Sequence, residues 1–214
     1  MSWVIGISAL YHDSAAVLLQ NGIVVACAQE ERFTRVKHDS SLPVRSVSWL
    51  LKFAKIKISD VSYLCFYEKP LKKFERILST SVATFPRSIT SFPYQMNSWL
   101  SDKLWIRTRL AQSFSIAAEK ILFCEHHLSH AASAFFPSSF TEAAVLVVDG
   151  VGEWATTSIW KGQDSSLQPI GEIRYPHSVG LFYSAITAHL GFAVNEGEYK
   201  VMGLAPYGQP KYKD

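Results

Sequence analysis

Residues 144–162 read AVLVVDGVGEWATTSIWKG, and residues 3–22 read WVIGISALYHDSAAVLLQNG. Each stretch sets an apolar run of β-forming residues, a short polar turn and a second apolar run in the same order. The echo predicts two related lobes, each opened by a hairpin whose polar turn faces one cleft, with a boundary after Thr141. Asn21-Gly22 ends the first pattern and reads as a tight turn into a third strand over 23–29. Three antiparallel strands therefore begin the chain.

Working outward, "SLPVRSVSWLLKFAKI" places a proline at a helix start, with Val44, Val47, Leu50, Leu51 and Ala54 at helical spacing. A strand over 61–66 follows, so the order is βββαβ and the fold class is α/β. Prolines 70, 86 and 93 among many aromatics predict broken helix and loop over 71–100. Residues 104–120 read as one continuous helix, 121–124 as a short strand and 128–135 as a helix. The wholly apolar 143–148 predicts a strand buried on both faces.

The totals narrow the function. A chain of 214 residues with 48% hydrophobic content suits one sizeable domain or two small lobes. A formal charge of +3, spread evenly, argues against nucleic-acid and anionic-membrane partners and favours small molecules or proteins. Cys27, Cys65 and Cys124 are far apart in apolar runs, as expected of buried thiols in a reducing compartment. No basic leader and no apolar run of membrane-spanning length is present, so a cytoplasmic location is expected.

Three of the chain's seven histidines fall in "EHHLSHAASAFF", residues 125–136. On a helix, His126 and His130 share one face and can share a metal ion; His127 and His130 also fit, and a plain polar helix face is the bland alternative. Asp149, at the end of an apolar strand and just before Gly150, adds a carboxylate to a plausible incomplete metal site. Gly150 and Gly152 let backbone amides approach an oxyanion, or simply connect a hairpin. His12, in "HDS", is placed to act as a general base near neutral pH, or lies on a surface turn. "EERFTRVKHD", residues 30–39, reads as a solvated loop in which Arg32, Arg35 and Lys37 could hold an anion. "GEYKVMGLAPYG", residues 197–208, reads as a loop that either covers a ligand or is a long turn.

In this order, "GISALYHDSAAVLL", "AQEERFTRVKHDSSLP", "EHHLSHAASAFFPSSF", "AVLVVDGVGEW", "SVGLFYSAIT" and "GEYKVMGLAPYG" resemble the carbamoyltransferases that modify nodulation factors and antibiotics such as tobramycin and cephamycins. The resemblance implies an actin-like ATPase fold of the sugar-kinase and heat-shock type, ribonuclease H-like. It implies a complete first lobe over 1–141 and a truncated second lobe over 142–214, with a C-terminal adenylate-forming domain absent. By the same resemblance His126, His130 and Asp149 hold a divalent metal, iron or zinc, with magnesium a third option. Gly150, Gly152, Gly180 and Lys200 contact nucleotide or phosphate, and His12 is the base.

The implied reaction makes carbamoyl-adenylate from carbamoyl phosphate and ATP and passes the carbamoyl group to a hydroxyl of a small-molecule or sugar acceptor. The implied partners are that acceptor, carbamoyl phosphate, ATP, and a missing C-terminal segment or partner chain. A homo-oligomer is compatible; nucleic acid and membrane are not expected. The final metal carboxylate and much of the adenosine pocket would lie in a following part, so unaided turnover is not expected. The alternatives are a non-catalytic binding module of the same fold and a chaperone-like or sugar-kinase-like ATPase. The His pair speaks against the ATPase, because such sites hold magnesium through carboxylates and water.

Overall fold

A computed structural model describes residues 2–11, 13–101 and 103–211. The chain divides into two compact units, Met1–Ser129 and His130–Asp214.

The first unit is built on a five-stranded sheet. Strands β1 (Trp3–Ser8), β2 (Ala15–Gln20) and β3 (Ile23–Gln29) form the expected antiparallel set. Asn21 and Gly22 both have positive φ, 51° and 85°, which matches the right-handed twist of a two-residue hairpin. After the short helix α1 (Glu31–Thr34) comes α2 (Val44–Ala54), and then β4 (Val61–Phe66) runs parallel to β1. Helices α3 (Pro70–Ala83), α4 (Phe92–Ser101) and α5 (Ile106–Phe114) lead to β5 (Ile121–Phe123), which is parallel to β4. The sheet order is β3-β2-β1-β4-β5. Alternation along the strands sends Ile5, Ile7, Leu18, Leu64 and Phe66 into a core completed by Val47 and Leu50 of α2 and by Ile106, Leu110 and Phe114 of α5. The α/β class expected from the βββαβ order is the class observed.

The broken helix and loop expected over 71–100 is what forms: two helices separated by turns over 84–91, with Pro70 and Pro93 in first turns, where a missing N–H costs nothing. Two other local expectations fail in this unit. Residues 104–120 are not one helix: a 3-10 turn at Lys103–Trp105 precedes α5, and Ser115 ends it in the left-handed region at φ 52°. That cap turns Ile116 into the core. Cys27, expected to be buried, is exposed, because β3 is the outer strand of the sheet; Cys65 and Cys124 are half-buried.

Helix α6 (His126–Phe135) begins before the expected residue 128 and carries the chain across the division, since its last turn packs in the second unit. There the Phe135 ring lies so close to Gly162 that a Cβ at 162 would sit 2.6 Å from it. The second unit has an antiparallel sheet in the order β6-β7-β8, from β6 (Glu142–Val148), β7 (Ala155–Gln163) and β8 (Ser166–Arg174). The hairpin expected over 144–162 is β6–β7. β6 is not buried on both faces: Val145 and Val147 are buried, while Leu146 and Val148 are 65% and 50% exposed. It belongs to an antiparallel sheet packed on one face only, the face that carries Val145 and Val147. β8 carries Pro169, which an outer strand tolerates. Helices α7 (Val179–His189) and α8 (Glu198–Leu204) complete the unit. Residues 197–208, expected to be loop, are thus mostly helix. Glu198 opens α8 and accepts bonds from Ser184 Oγ (2.8 Å) and the Asn195 amide (3.1 Å), which tie it to α7.

Candidate functional site

The histidine cluster takes its geometry from α6. Four residues apart, His126 and His130 lie on one side of the helix. His127 is turned inward and is only 3% exposed. The His126 side chain is largely buried, with its ring 5.6 Å from that of Tyr67, whereas the His130 side chain is 53% exposed. Just ahead of the helix, Glu125 accepts from Lys72 Nζ (2.7 Å) and Lys69 Nζ (3.2 Å). The Lys72 bond, aided by Lys69, outweighs partial burial and holds the Glu125 carboxyl below its ordinary range.

Asp149 follows β6 directly. Its amide donates to Thr156 O at 2.9 Å, which keeps the hairpin register, and its Oδ1 accepts from the Gly150 amide at 2.6 Å. Its Oδ2 lies 3.9 Å from His130 Nε2. Among the described residues, His126, His130 and Asp149 each offer one ligand atom, and the three atoms lie within 4.8 Å of one another. A tetrahedral shell with bonds of about 2.1 Å spaces its donor atoms about 3.4 Å apart, so a modest rotation of the half-exposed His130 ring would close the set. Two imidazoles and one carboxylate suit zinc or iron(II) better than magnesium, which prefers oxygen donors. The donor set therefore fits a borderline divalent ion.

The other expected residues are placed as follows. The Gly152 amide donates to Ala155 O at 2.9 Å, and the Gly150 amide is engaged by Asp149, so both serve the turn itself. Gly180 is required by close approach: a Cβ there would lie 2.7 Å from the Gly150 amide nitrogen and would overlap the Asp149 carbonyl. Ser178 caps α7, accepting from the Leu181 amide at 3.0 Å and donating to Gly150 O at 2.7 Å. The first turn of α7, with its outward-facing amides and positive dipole end, is thereby fastened to the Asp149-Gly150 turn. Lys200 is exposed on α8. His12 lies outside the described residues. Its neighbour Asp13 bonds His38 Nδ1 at 2.9 Å, and the Leu10 and Ser14 amides donate to Ser40 O and Asp39 O at 2.8 Å. The 35–41 segment is thus fastened to the turn after β1. Arg35 and Lys37 are exposed on it, and Arg32 is exposed on α1 just before it.

"EERFTRVKHD" is not wholly a solvated loop. Glu30 is 2% exposed, and its carboxylate accepts from the Arg45 amide (3.0 Å), the Ser46 amide (2.8 Å) and Ser46 Oγ (2.7 Å) at the start of α2. Glu68 and Lys73, which the sequence does not single out, border the cluster: Glu68 Oε2 lies 3.8 Å from His126 Nδ1, and Lys73 Nζ is 2.7 Å from the same oxygen. Their trace in the sequence is the acidic residue just past β4 in "FYEKPLKK", followed by three lysines.

Residues 3–214 match the family described as carbamoyltransferase N-terminus. The Synechocystis sp. protein sll1178 is 55% identical over 221 residues, covering 100% of this chain and 36% of that protein. The nodulation protein NolNO of Sinorhizobium fredii is 37% identical over 204 residues, covering 93% of this chain and 28% of that protein. The chain thus spans about a third of the length of these relatives. Among solved structures, YeaZ from Pseudomonas aeruginosa aligns at a TM-score of 0.45 and 13% identity, covering 85% of this chain and 73% of that one. With the family matched from Trp3 onward and the His126, His130 and Asp149 side chains assembled as described, the chain belongs to the carbamoyltransferase family, by its N-terminal region.

Proposed function

We propose that the chain supplies the metal-, phosphate- and acceptor-contacting part of an O-carbamoyltransferase with an actin-like ATPase-type fold. The donor is carbamoyl-adenylate made from carbamoyl phosphate and ATP, and the acceptor is a hydroxyl of a small molecule or sugar. The observation that carries this reading is the meeting of His126, His130 and Asp149 ligand atoms within 4.8 Å, in a chain of this family.

The acceptor oxygen attacks the carbamoyl carbon, the bond from that carbon to the phosphate oxygen breaks, and AMP leaves with the electron pair. The acceptor proton passes to a base, a role we give to His12. A divalent ion held by His126, His130 and Asp149 would offset negative charge on the departing phosphate. The first turn of α7, set beside Asp149-Gly150 by Gly180 and Ser178, supports the same phosphate through its amides and dipole. Lys200 would add positive charge from α8. Cytoplasmic action fits a donor made from ATP, and among the described residues no helix is long and apolar enough to cross a membrane.

The test compares this chain with one of the relatives' full length, each given carbamoyl phosphate, ATP, divalent ion and a hydroxyl acceptor. Carbamoyl ester formation and bound metal are measured side by side. The longer protein is expected to transfer the carbamoyl group and to lose that activity with His126→Ala or Asp149→Asn. Transfer that survives both substitutions overturns the reading.

A further inference from the structure

Glu68 follows β4 closely and is 8% exposed, an unusual setting for a carboxylate. One neighbour accounts for part of its burial: Lys73 Nζ, from the second turn of α3, sits 2.7 Å from Oε2. The other neighbour is an imidazole. His126 Nδ1 lies 3.8 Å from that same Oε2, with both side chains largely buried. Lys73 is itself held in place, since its ammonium lies 5.9 Å from the centre of the Tyr11 ring.

The two nitrogens of an imidazole point in different directions, so a ring whose Nδ1 faces a carboxylate turns Nε2 away from it. A carboxylate behind Nδ1 favours the tautomer with the proton on Nδ1. Nε2 then carries the lone pair and presents it as the donor atom. The gap of 3.8 Å is longer than a hydrogen bond, so a shift of about 1 Å, or one bridging water, completes the contact. The Glu68–Lys73 pair is short already, and therefore the imidazole is the member that moves.

We propose that Glu68, anchored by Lys73, is a positioning residue that fixes the tautomer of His126 and presents its Nε2 as the ligand atom. The inference rests on the metal reading of His126, His130 and Asp149. It assigns Glu68 and Lys73 a purpose in a site that neither of them touches.

The test titrates Co(II) and Zn(II) into the purified chain and its Glu68→Gln, Lys73→Met and His126→Ala variants, by calorimetry and by the visible spectrum of bound Co(II). Apo-protein melting is followed in parallel. Glu68→Gln is expected to weaken Co(II) binding by about 10–100-fold while leaving the apo melting temperature near that of the parent. Lys73→Met is expected to weaken binding in the same direction. If Glu68→Gln fails to fold, nitrogen NMR of the parent's His126 ring decides the matter, with Nδ1–H and a Zn(II)-shifted Nε2 expected. Zn(II) on Nδ1, or Glu68→Gln affinity within twofold of the parent, overturns the proposal while the metal reading stands. Failure of the parent to bind Co(II), or binding unchanged in His126→Ala, overturns both.

Discussion

His127 and His126 are neighbours in sequence with opposite surroundings, one packed inward at 3% exposure and the other beside Glu68. His127→Ala should therefore lower stability by about 1–3 kcal/mol, through lost packing and an unfilled space, and leave Co(II) binding unchanged. Urea melts and a cobalt titration on the same sample check both halves. Equal loss of cobalt in His127→Ala and His126→Ala would mean that the wrong histidine register is in use. Glu125 gives a pH signature. Its folded pKa is depressed by Lys72 and Lys69, so its stabilising effect is present above its ordinary 4.5 and is lost as pH falls through the folded value. Melting temperatures of the parent and Glu125→Gln should differ at pH 7, converge as the pH drops below 4.5, and differ less in high salt, since the pair is partly exposed. At this scale the shared helix side of His126 and His130 and the placement of Asp149 were readable, because spacing on a helix and position after a strand are local properties. Glu68 and Glu30 were not, because what each carboxylate meets comes from an element elsewhere in the chain.

Helix α2 begins where Glu30, fourteen residues upstream of Val44, supplies the acceptor that its own cap residue Pro43 cannot. Glu30→Ala would strand the Arg45 and Ser46 amides and should cost about 2–3 kcal/mol, measured by urea denaturation. Glu30→Gln, which keeps one acceptor oxygen, should cost less. The hairpins β1–β2–β3 and β6–β7 were legible because alternation and an Asn-Gly turn need no distant partner. The 104–120 segment misled because its apolar spacing is helical throughout, yet the tertiary gain from burying Ile116 favours a left-handed break at Ser115. The 197–208 segment misled in the other direction: Gly197, Gly203 and Pro206 read as loop, while Glu198 and its bonds to Ser184 and Asn195 hold a helix there.

Taken whole, the second unit keeps an apolar sheet face open. Register places Leu146 opposite Ile159, and Val148 opposite Thr157, which in turn faces Ile173. Leu146, Val148, Ile159 and Ile173 are 65%, 50%, 43% and 47% exposed. Such a face, with outer strands on either side, favours self-association. Light scattering of this chain should show mass rising with concentration, and Leu146→Lys with Ile159→Lys should suppress the rise without changing Co(II) binding. An unchanged concentration dependence would show that this face is not the one that associates. No single-strand pattern announced it, because an unbroken apolar run over 143–148 looks the same whether one face or two are covered.

The thiols offer a practical consequence. Burial pushes the Cys65 thiol up to about 11, with the neighbouring Cys124 adding to the rise, so at neutral pH Cys65 stays protonated and slow toward alkylating reagents. Cys27 stands exposed on outer strand β3. Maleimide at pH 7 should therefore label Cys27 well ahead of Cys65, as peptide mass mapping over time would record, and faster modification of Cys65 would contradict its burial. A dye on Cys27 would give the first unit an optical reporter, and accelerated labelling of Cys65 would time the opening of its β4–β5 edge.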